Sequence, residues 1–434
     1  MKKITKALSL ILILCFMLSL FSCAEPASGS SGGGGYYWGA GVGEDATVSP
    51  EEGGEVDDSD KSEEIQDVSL PSGMITAGAH NDNDYYQFWL SLFADAEGES
   101  YTKGKFFSYI SSGRSWGFDS LNRVKVSVLS GGLPVAGAKV IAFDNDGNKL
   151  FTAISDAQGN AYLFPEINDG FVLVMSGEAS ESAEFSADER EITVELETHA
   201  EKMNVIELMF VVDVTGSMGD ELRFLQTELD DVIKKIAAND SETVIHLSLL
   251  FYRDHTDQQV FEFCDFVDIT DEVGLKSTLD KLAAQKASGG GDYEEAVDEA
   301  LEMAVNAQWT DGATTKLIFH VLDAPAHNGD EYKVRFNNAV VAAAEKGIRI
   351  SPILCSGAAE TTEYTMRQAA IYTGGTFIFV TDDSGIGNTH HDPSIPNVTV
   401  ELLNTMLVRL IKGYHTGEFE DPIFWKEDPA LAAK

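Results

Sequence analysis

The sequence predicts a multidomain chain, a small all-β sandwich followed by an α/β domain with a doubly wound, Rossmann-like and mainly parallel six-stranded sheet. Three observations predict it. Between residues 121 and 197, apolar residues alternate with period two and are broken by Gly-bearing turns. From 204 to about 414, strand-length apolar runs alternate with helical periodicities, which is how a parallel sheet covered by helices reads. The first of those runs stops at "DVTGS", so an acid and two hydroxyls stand at the carboxyl end of a strand, where ligands of such sheets sit. At 434 residues the chain is long enough for two or three domains with cores of their own.

Taken in order, residues 1–22 read as a signal peptide. Lys2, Lys3 and Lys6 form a basic leader, and "ALSLILILCFMLSLF" is an apolar core too short for a confident membrane span. Leu20, Ser22 and Cys23 stand at −3, −1 and +1 of a cleavage point and resemble the lipobox of bacterial lipoproteins. That resemblance implies a lipidated Cys23 and a protein anchored to the bacterial cell envelope, facing the periplasm or the outside. Residues 23–73, with "SGGGG" and "SPEEGGEVDDSDKSEE", hold too few large apolar residues to fold and read as a tether. Residues 74–120 are a lead-in of unassigned fold. Its "HNDNDYY" reads as a turn rich in Asx side chains rather than a cation loop.

The β region spans 121–198. "RVKVSVLS", "AKVIAFD", "YLF", "FVLVMS" and "REITVELE" supply strands, and "DNDGN" and "DAQGN" supply hairpin turns. The run "PVAGAKVIAFDNDGNKLFTAISDAQGNAYL" resembles carboxypeptidase regulatory-like (transthyretin-like) modules, which implies a spacer or binding sandwich without catalytic residues. In the α/β region, strands are expected at 204–213, 244–253, 259–267, 315–323, 347–355 and 375–380. Helices are expected at stretches such as "GDELRFLQTELDDVIKKIA" and "DEYKVRFNNAVVAAAEKG". Residues 416–434 are a tail.

Charge excludes one class of partner. With 71 Asp and Glu against 30 Lys and Arg, the net charge is −41, which repels phosphate backbones and excludes nucleic-acid binding through a basic face. Cations and basic partners are favoured, though acidity also serves solubility.

Asp213, Thr215 and Ser217 crowd the start of a helix after the strand 204–213. Oxygen ligands at this density suit a hard divalent cation, Mg²⁺ first, with Mn²⁺ or Ca²⁺ as alternatives, and do not suit zinc. Alone, Asp213 and Ser217 would read equally as helix caps. The pattern D-x-[ST]-x-S resembles the metal-ion-dependent adhesion site (MIDAS) of von Willebrand factor type A (VWA) domains. "LLFYRDH", "ASGGGDYEEAVDEAL", Trp309 and "IFHVLDAPAH" follow in the order of a bacterial VWA subgroup, and the resemblance covers 204–415. It implies Asp213, Thr215 and Ser217 as ligands from the first loop and Asp323 as the later aspartate. Where many such domains offer a threonine, Asp292 is the candidate here. Ser288, Asp254 and His327 are candidates for places behind the ligands. Asp292 also reads as a cap of the following helix, Asp254 as a residue that orients its loop, and His327 as an ordinary loop histidine. The strand order of the family further implies that Cys264 and Cys355 do not meet in a disulfide.

The function implied is a metal-dependent protein-binding or adhesion module, its partner an unknown protein or surface ligand, with the membrane reached through the lipid anchor. The alternative is a structural or assembly component whose metal only stabilises loops. No enzyme is expected. The aspartyl-nucleophile phosphatase pattern needs an acid where Thr215 stands, and a G-x-S-x-G elbow is absent.

Overall fold

A computed structural model describes residues 75–95, 104–111, 115–198, 203–237, 243–312, 314–384, 390, 392–396 and 398–429. The signal segment, Cys23 and the 23–73 stretch lie outside the described residues. Among those described, no helix is long and apolar enough to cross a membrane.

The lead-in supplies a strand, β1 (Thr76–His80), and two short helices, α1 (Tyr86–Ser91) and α2 (Phe107–Ser111). Eight strands follow: β2 (Val124–Ser130), β3 (Leu133–Pro134), β4 (Lys139–Phe143), β5 (Lys149–Ile154), β6 (Asn160–Leu163), β7 (Gly170–Ser176), β8 (Ala179–Phe185) and β9 (Glu191–Glu195). They form two four-stranded sheets, one ordered β3-β2-β6 with β9 beside β2, the other β5-β4-β7-β8. Their turns are made by aspartates. Asp144 Oδ1 accepts the N–H groups of Asp146 and Asn148 at 2.9 and 2.8 Å, and Asp156 repeats the pattern with Gln158 and Asn160.

The α/β region runs β10 (Val205–Asp213), α3 (Gly219–Ala237), β11 (Val244–Tyr252), β12 (Phe261–Asp268), α4 (Glu272–Ala284), α5 (Val297–Val305), β13 (Thr315–Leu322), α6 (Asp330–Lys346), β14 (Ile348–Leu354), α7 (Glu360–Thr373), β15 (Phe377–Val380), β16 (Glu401–Leu402) and α8 (Leu403–Thr416). The six expected strands are β10 to β15, but the sheet has eight, ordered β12-β11-β10-β13-β14-β15-β1-β16. The expectation of six is corrected by two short strands. β1 from the lead-in pairs antiparallel with both β15 and β16. The five strands β11, β10, β13, β14 and β15 are mutually parallel, and β12 is antiparallel to β11.

Burial on both faces explains the apolar run Leu208–Val212 of β10. Ile206, Leu208, Phe210 and Val212 pack with α3 and α8 on one face. Met209 and Val211 pack with α5, α6 and α7 on the other. That second cluster continues without a break into Val126, Val140 and Val174 of the two small sheets and into Trp89, Phe106 and Trp116 of the lead-in. The small sheets therefore share a core with the helices instead of standing apart as a spacer.

A buried ion-pair group joins the lead-in to α7. Arg367 donates to Asp82 from Nη2 at 2.5 Å and from Nε at 2.9 Å, and to Glu363 Oε1 at 2.9 Å. Asp82 of "HNDNDYY" is thus a structural partner, and Asn81 Oδ1 accepts from Asn83 N–H as an Asx turn requires. Cys264 and Cys355 are both buried free thiols.

Candidate functional site

The sheet reverses its winding between β10 and β13, and these central neighbours end side by side. Asp213 closes β10 and Asp323 follows β13, so the topology alone sets two carboxylates together at the switch point. Asp213 is fully buried and Asp323 is 4% exposed. Asp213 Oδ1 accepts from Thr215 N–H at 2.8 Å and from Thr215 Oγ1 at 2.6 Å. Its other oxygen, Oδ2, is buried with no hydrogen-bond partner among the described residues. Ser217, exposed just before α3, has its hydroxyl near Asp323, where it favours the ionised carboxylate. The structure thus gathers Asp213, Thr215, Ser217 and Asp323.

Two further acids reach this place. Glu295, 4% exposed, and Glu221, on the first turn of α3 and equally buried, each leave Oε2 buried without a partner among the described residues. Glu221 Oε1 accepts from Ser356 N–H and Oγ at 3.2 and 3.1 Å. Both were missed in the sequence. A signal for Glu221 was present, since it lies four residues past Ser217 and so one helical turn along the same face. Glu295 carried none, being the second of two adjacent acids in "YEEA".

Electrostatics reports the crowding. Burial, then the neighbouring Asp323 charge, pushes Asp213 up to about 7. Burial, then the charges of Asp213, Asp254 and Asp323, pushes Glu295 up to about 9. Burial also raises Asp323 and Glu221. Such groups resist ionising together unless a cation joins them.

The loop 288–292 covers the site. Ser288, exposed, donates its N–H to Val214 O at 3.0 Å, and Gly216 N–H reaches Gly289 O at 3.3 Å. Gly289 and Gly290 have φ of +83° and +80°. A Cβ on Gly289 would stand 2.4 Å from Asp257 Oδ1, and one on Gly290 would stand 2.9 Å from Glu295 Oε1. The three glycines are there for close approach, not flexibility. Tyr293 latches the loop further on, its hydroxyl accepting from Ala359 N–H at 2.8 Å and donating to Asp323 O at 3.2 Å.

Asp292 is exposed, and its carboxylate is grouped with Asp254 and His327, all three ligand atoms lying within 4.8 Å of one another. His327 Nε2 is 2.8 Å from Asp254 Oδ1. Burial opposes the ionised form of Asp254, but hydrogen bonds from Thr256 and His327 outweigh it and hold the carboxyl down at about 2.

The donor set at Asp213 is all oxygen, and three buried carboxylate oxygens there have no partner among the described residues. Both facts fit a hard divalent cation, which Asp213, Asp323, Thr215 and Ser217 would hold with Glu295 or Glu221 close by.

An α/β sheet of this winding with an acid-and-hydroxyl loop at its switch point defines a class of domain. Residues 207–382 match the family model described as the von Willebrand factor A domain, and the chain carries such a domain. It is also 29% identical over 136 residues to a protein of Acanthamoeba polyphaga mimivirus named as an ariadne-like RING finger protein. The matched stretch is 30% of this chain and only 12% of that relative's length.

Proposed function

We propose that this is an envelope-anchored recognition protein whose VWA domain binds a protein or surface partner with the help of a divalent cation, Mg²⁺ first. The observation that carries the reading is the set of unpartnered buried oxygens, Asp213 Oδ2, Glu221 Oε2 and Glu295 Oε2, around the ends of β10 and β13. Buried acids without partners are costly, and a cation removes the cost. The basic leader, the apolar core and the lipobox-like Cys23 support a lipid anchor, and residues 23–73 support a tether holding the folded part off the membrane. The run from 134 to 163 supports a carboxypeptidase regulatory-like module, one that shares its core with the head. The reading contains no catalytic step.

A second reading has an observation of its own. Asp213, Asp323 and Glu295 are all at most 4% exposed, beneath the glycine loop. That cover favours a metal that only fixes loop geometry within an envelope assembly.

Calorimetric titration of Mg²⁺, Mn²⁺ and Ca²⁺ into the purified protein, beside Asp213→Ala and Asp292→Ala, tests both. Binding by the parent and its loss in Asp213→Ala support the metal centre, and no binding of any ion refutes it. Asp292→Ala decides whether that acid belongs to the same centre. EDTA then separates the two readings. Loss of partner binding supports recognition through the metal, whereas a lowered melting temperature with binding intact supports the structural role.

A further inference from the structure

Beside the Asp213 group lies a cluster of different chemistry. Asp254 is fully buried, just past the end of β11. Its Oδ2 is occupied by Thr256 N–H at 3.0 Å and by the Thr256 hydroxyl, which leaves Oδ1 turned to His327 Nε2. Asp292 closes the third side and is exposed to solvent.

The loop that carries Asp292 is built onto this group. A Cβ on Gly291 would stand 3.0 Å from Thr256 Oγ1 and 3.7 Å from Asp254 Oδ2, so the chain passes close to this group there. Asp257 Oδ2 accepts from both Asp254 N–H, at 3.3 Å, and Gly290 N–H, at 3.0 Å, tying the two loops together.

Glu295, 4% exposed, lies under Gly290 next to this loop, and its Oε2 has no hydrogen-bond partner among the described residues. The wall on the far side is imidazole-rich. The His255 ring is 5.3 Å from that of His327, and its own nitrogens face Asp298 Oδ1 at 4.0 Å and Glu299 Oε2 at 3.6 Å.

We propose that the Asp254 and Asp292 carboxylates and the His327 imidazole form a second cation site, beside the Asp213–Asp323 group, that takes a borderline transition-metal ion such as Zn²⁺. One nitrogen and two carboxylate oxygens suit such an ion, while the all-oxygen neighbour suits Mg²⁺. The ion would replace the hydrogen bond that His327 Nε2 and Asp254 Oδ1 now share, with the imidazole bound neutral and its ring proton on Nδ1. Asp292 leaves the site open to water on its exposed side.

The test is Zn²⁺ titration into the purified protein held in saturating Mg²⁺, with metal content counted after dialysis. Asp292→Asn, His327→Ala and Asp213→Ala are run alongside, and circular dichroism checks that each is folded. One Zn²⁺ per chain is expected in the parent and in Asp213→Ala. Affinity should weaken at least about tenfold in Asp292→Asn and His327→Ala, as for loss of a direct ligand. Co²⁺ in place of Zn²⁺ should give a visible absorption band that changes in His327→Ala. Absence of Zn²⁺ binding in the parent, or binding lost in Asp213→Ala and kept in the other two, overturns the proposal. The His327–Asp254 contact is then a loop latch only.

Discussion

Arg367→Met tests how the lead-in is held to the α/β domain. In the native protein Arg367 is fully buried and spends its guanidinium on Asp82, on Glu363 and, at 3.0 Å, on the Ser394 carbonyl. Methionine keeps much of the volume and removes the charge. The two acids then fare differently. Glu363 retains Lys105 at 2.8 Å and the Ser394 N–H at 3.0 Å. Asp82 retains His80 at 3.4 Å and loses both guanidinium bonds. Breaking one partner out of a buried pair costs about 3–5 kcal/mol because the other charge is stranded, and Asp82 is that charge here.

The pH dependence gives the sign. Burial would raise Asp82, but the Arg367 charge and hydrogen bonds, with His80, hold it below the ordinary carboxylate range. Its folded value is depressed, so its contribution is present above about 3.9, the unfolded value, and is lost as pH falls through the folded one. In Arg367→Met the folded value of Asp82 rises instead, so the deficit is full at pH 7 and shrinks on acidification. Urea unfolding at pH 7 and pH 5 measures both. Adding Asp82→Asn should recover part of the loss, since a buried amide is less costly than an unpaired carboxylate. A deficit under about 1 kcal/mol at pH 7, with no pH dependence, would show that Asp82 is not stranded and refute the reasoning.

Two further outcomes are expected. His320 is fully buried against Tyr252 Oη at 3.1 Å, and burial pushes it down to about 3. Its contribution is intact above the unfolded value of about 6.5 and is lost as pH falls toward the folded one, at about 1.4 kcal/mol per pH unit. His320→Phe should flatten the pH–stability curve by that slope, and parallel curves for variant and parent would count against it. Gly290→Ala forces an alanine to φ +80° with its Cβ 2.9 Å from Glu295 Oε1. A loss of about 1–3 kcal/mol in urea unfolding is expected, together with weaker Mg²⁺ binding by calorimetry. An unchanged midpoint would mean that the loop moves freely.

The parts of the fold that could be read from sequence are those whose cause is local. The central expected strands are apolar runs, and Asp213, Thr215, Ser217 and Asp323 were legible because they stand at or just past the end of one. β1 was not legible. Thr76–His80 is five residues long, and its register is set by residues 377–380 and 401–402, about 300 positions away. The Asp82–Arg367 pairing spans 285 positions and leaves no local trace in either stretch. In "GGGDYEEA", Glu295 is the acid whose backbone bridges to Pro325 and Ala326, which holds it inward. Composition does not reveal that bridge, so the sequence points to Asp292 and not to Glu295.

That loop is also where the two candidate cation positions meet. Each of its glycines rests on a different partner: Gly289 on Asp257, Gly290 on Glu295 and Thr215, Gly291 on Thr256 and Asp254. The first and third face the Asp254 side, and the second faces the Asp213 side. Glu295 shares charge repulsion with both groups, so a cation at either one relieves it and lowers the cost of keeping it ionised. Neutralising Glu295 by Glu295→Gln removes that shared charge. Any help that one ion gives the other through Glu295 should then vanish, and reciprocity requires the same change in both affinities. Mg²⁺ titrations of the parent with and without Zn²⁺, repeated on Glu295→Gln, read this directly. A coupling that survives the substitution unchanged would assign it to the glycine backbone, since Gly216, Gly289 and Gly290 already join the loops by hydrogen bonds that do not involve the glutamate.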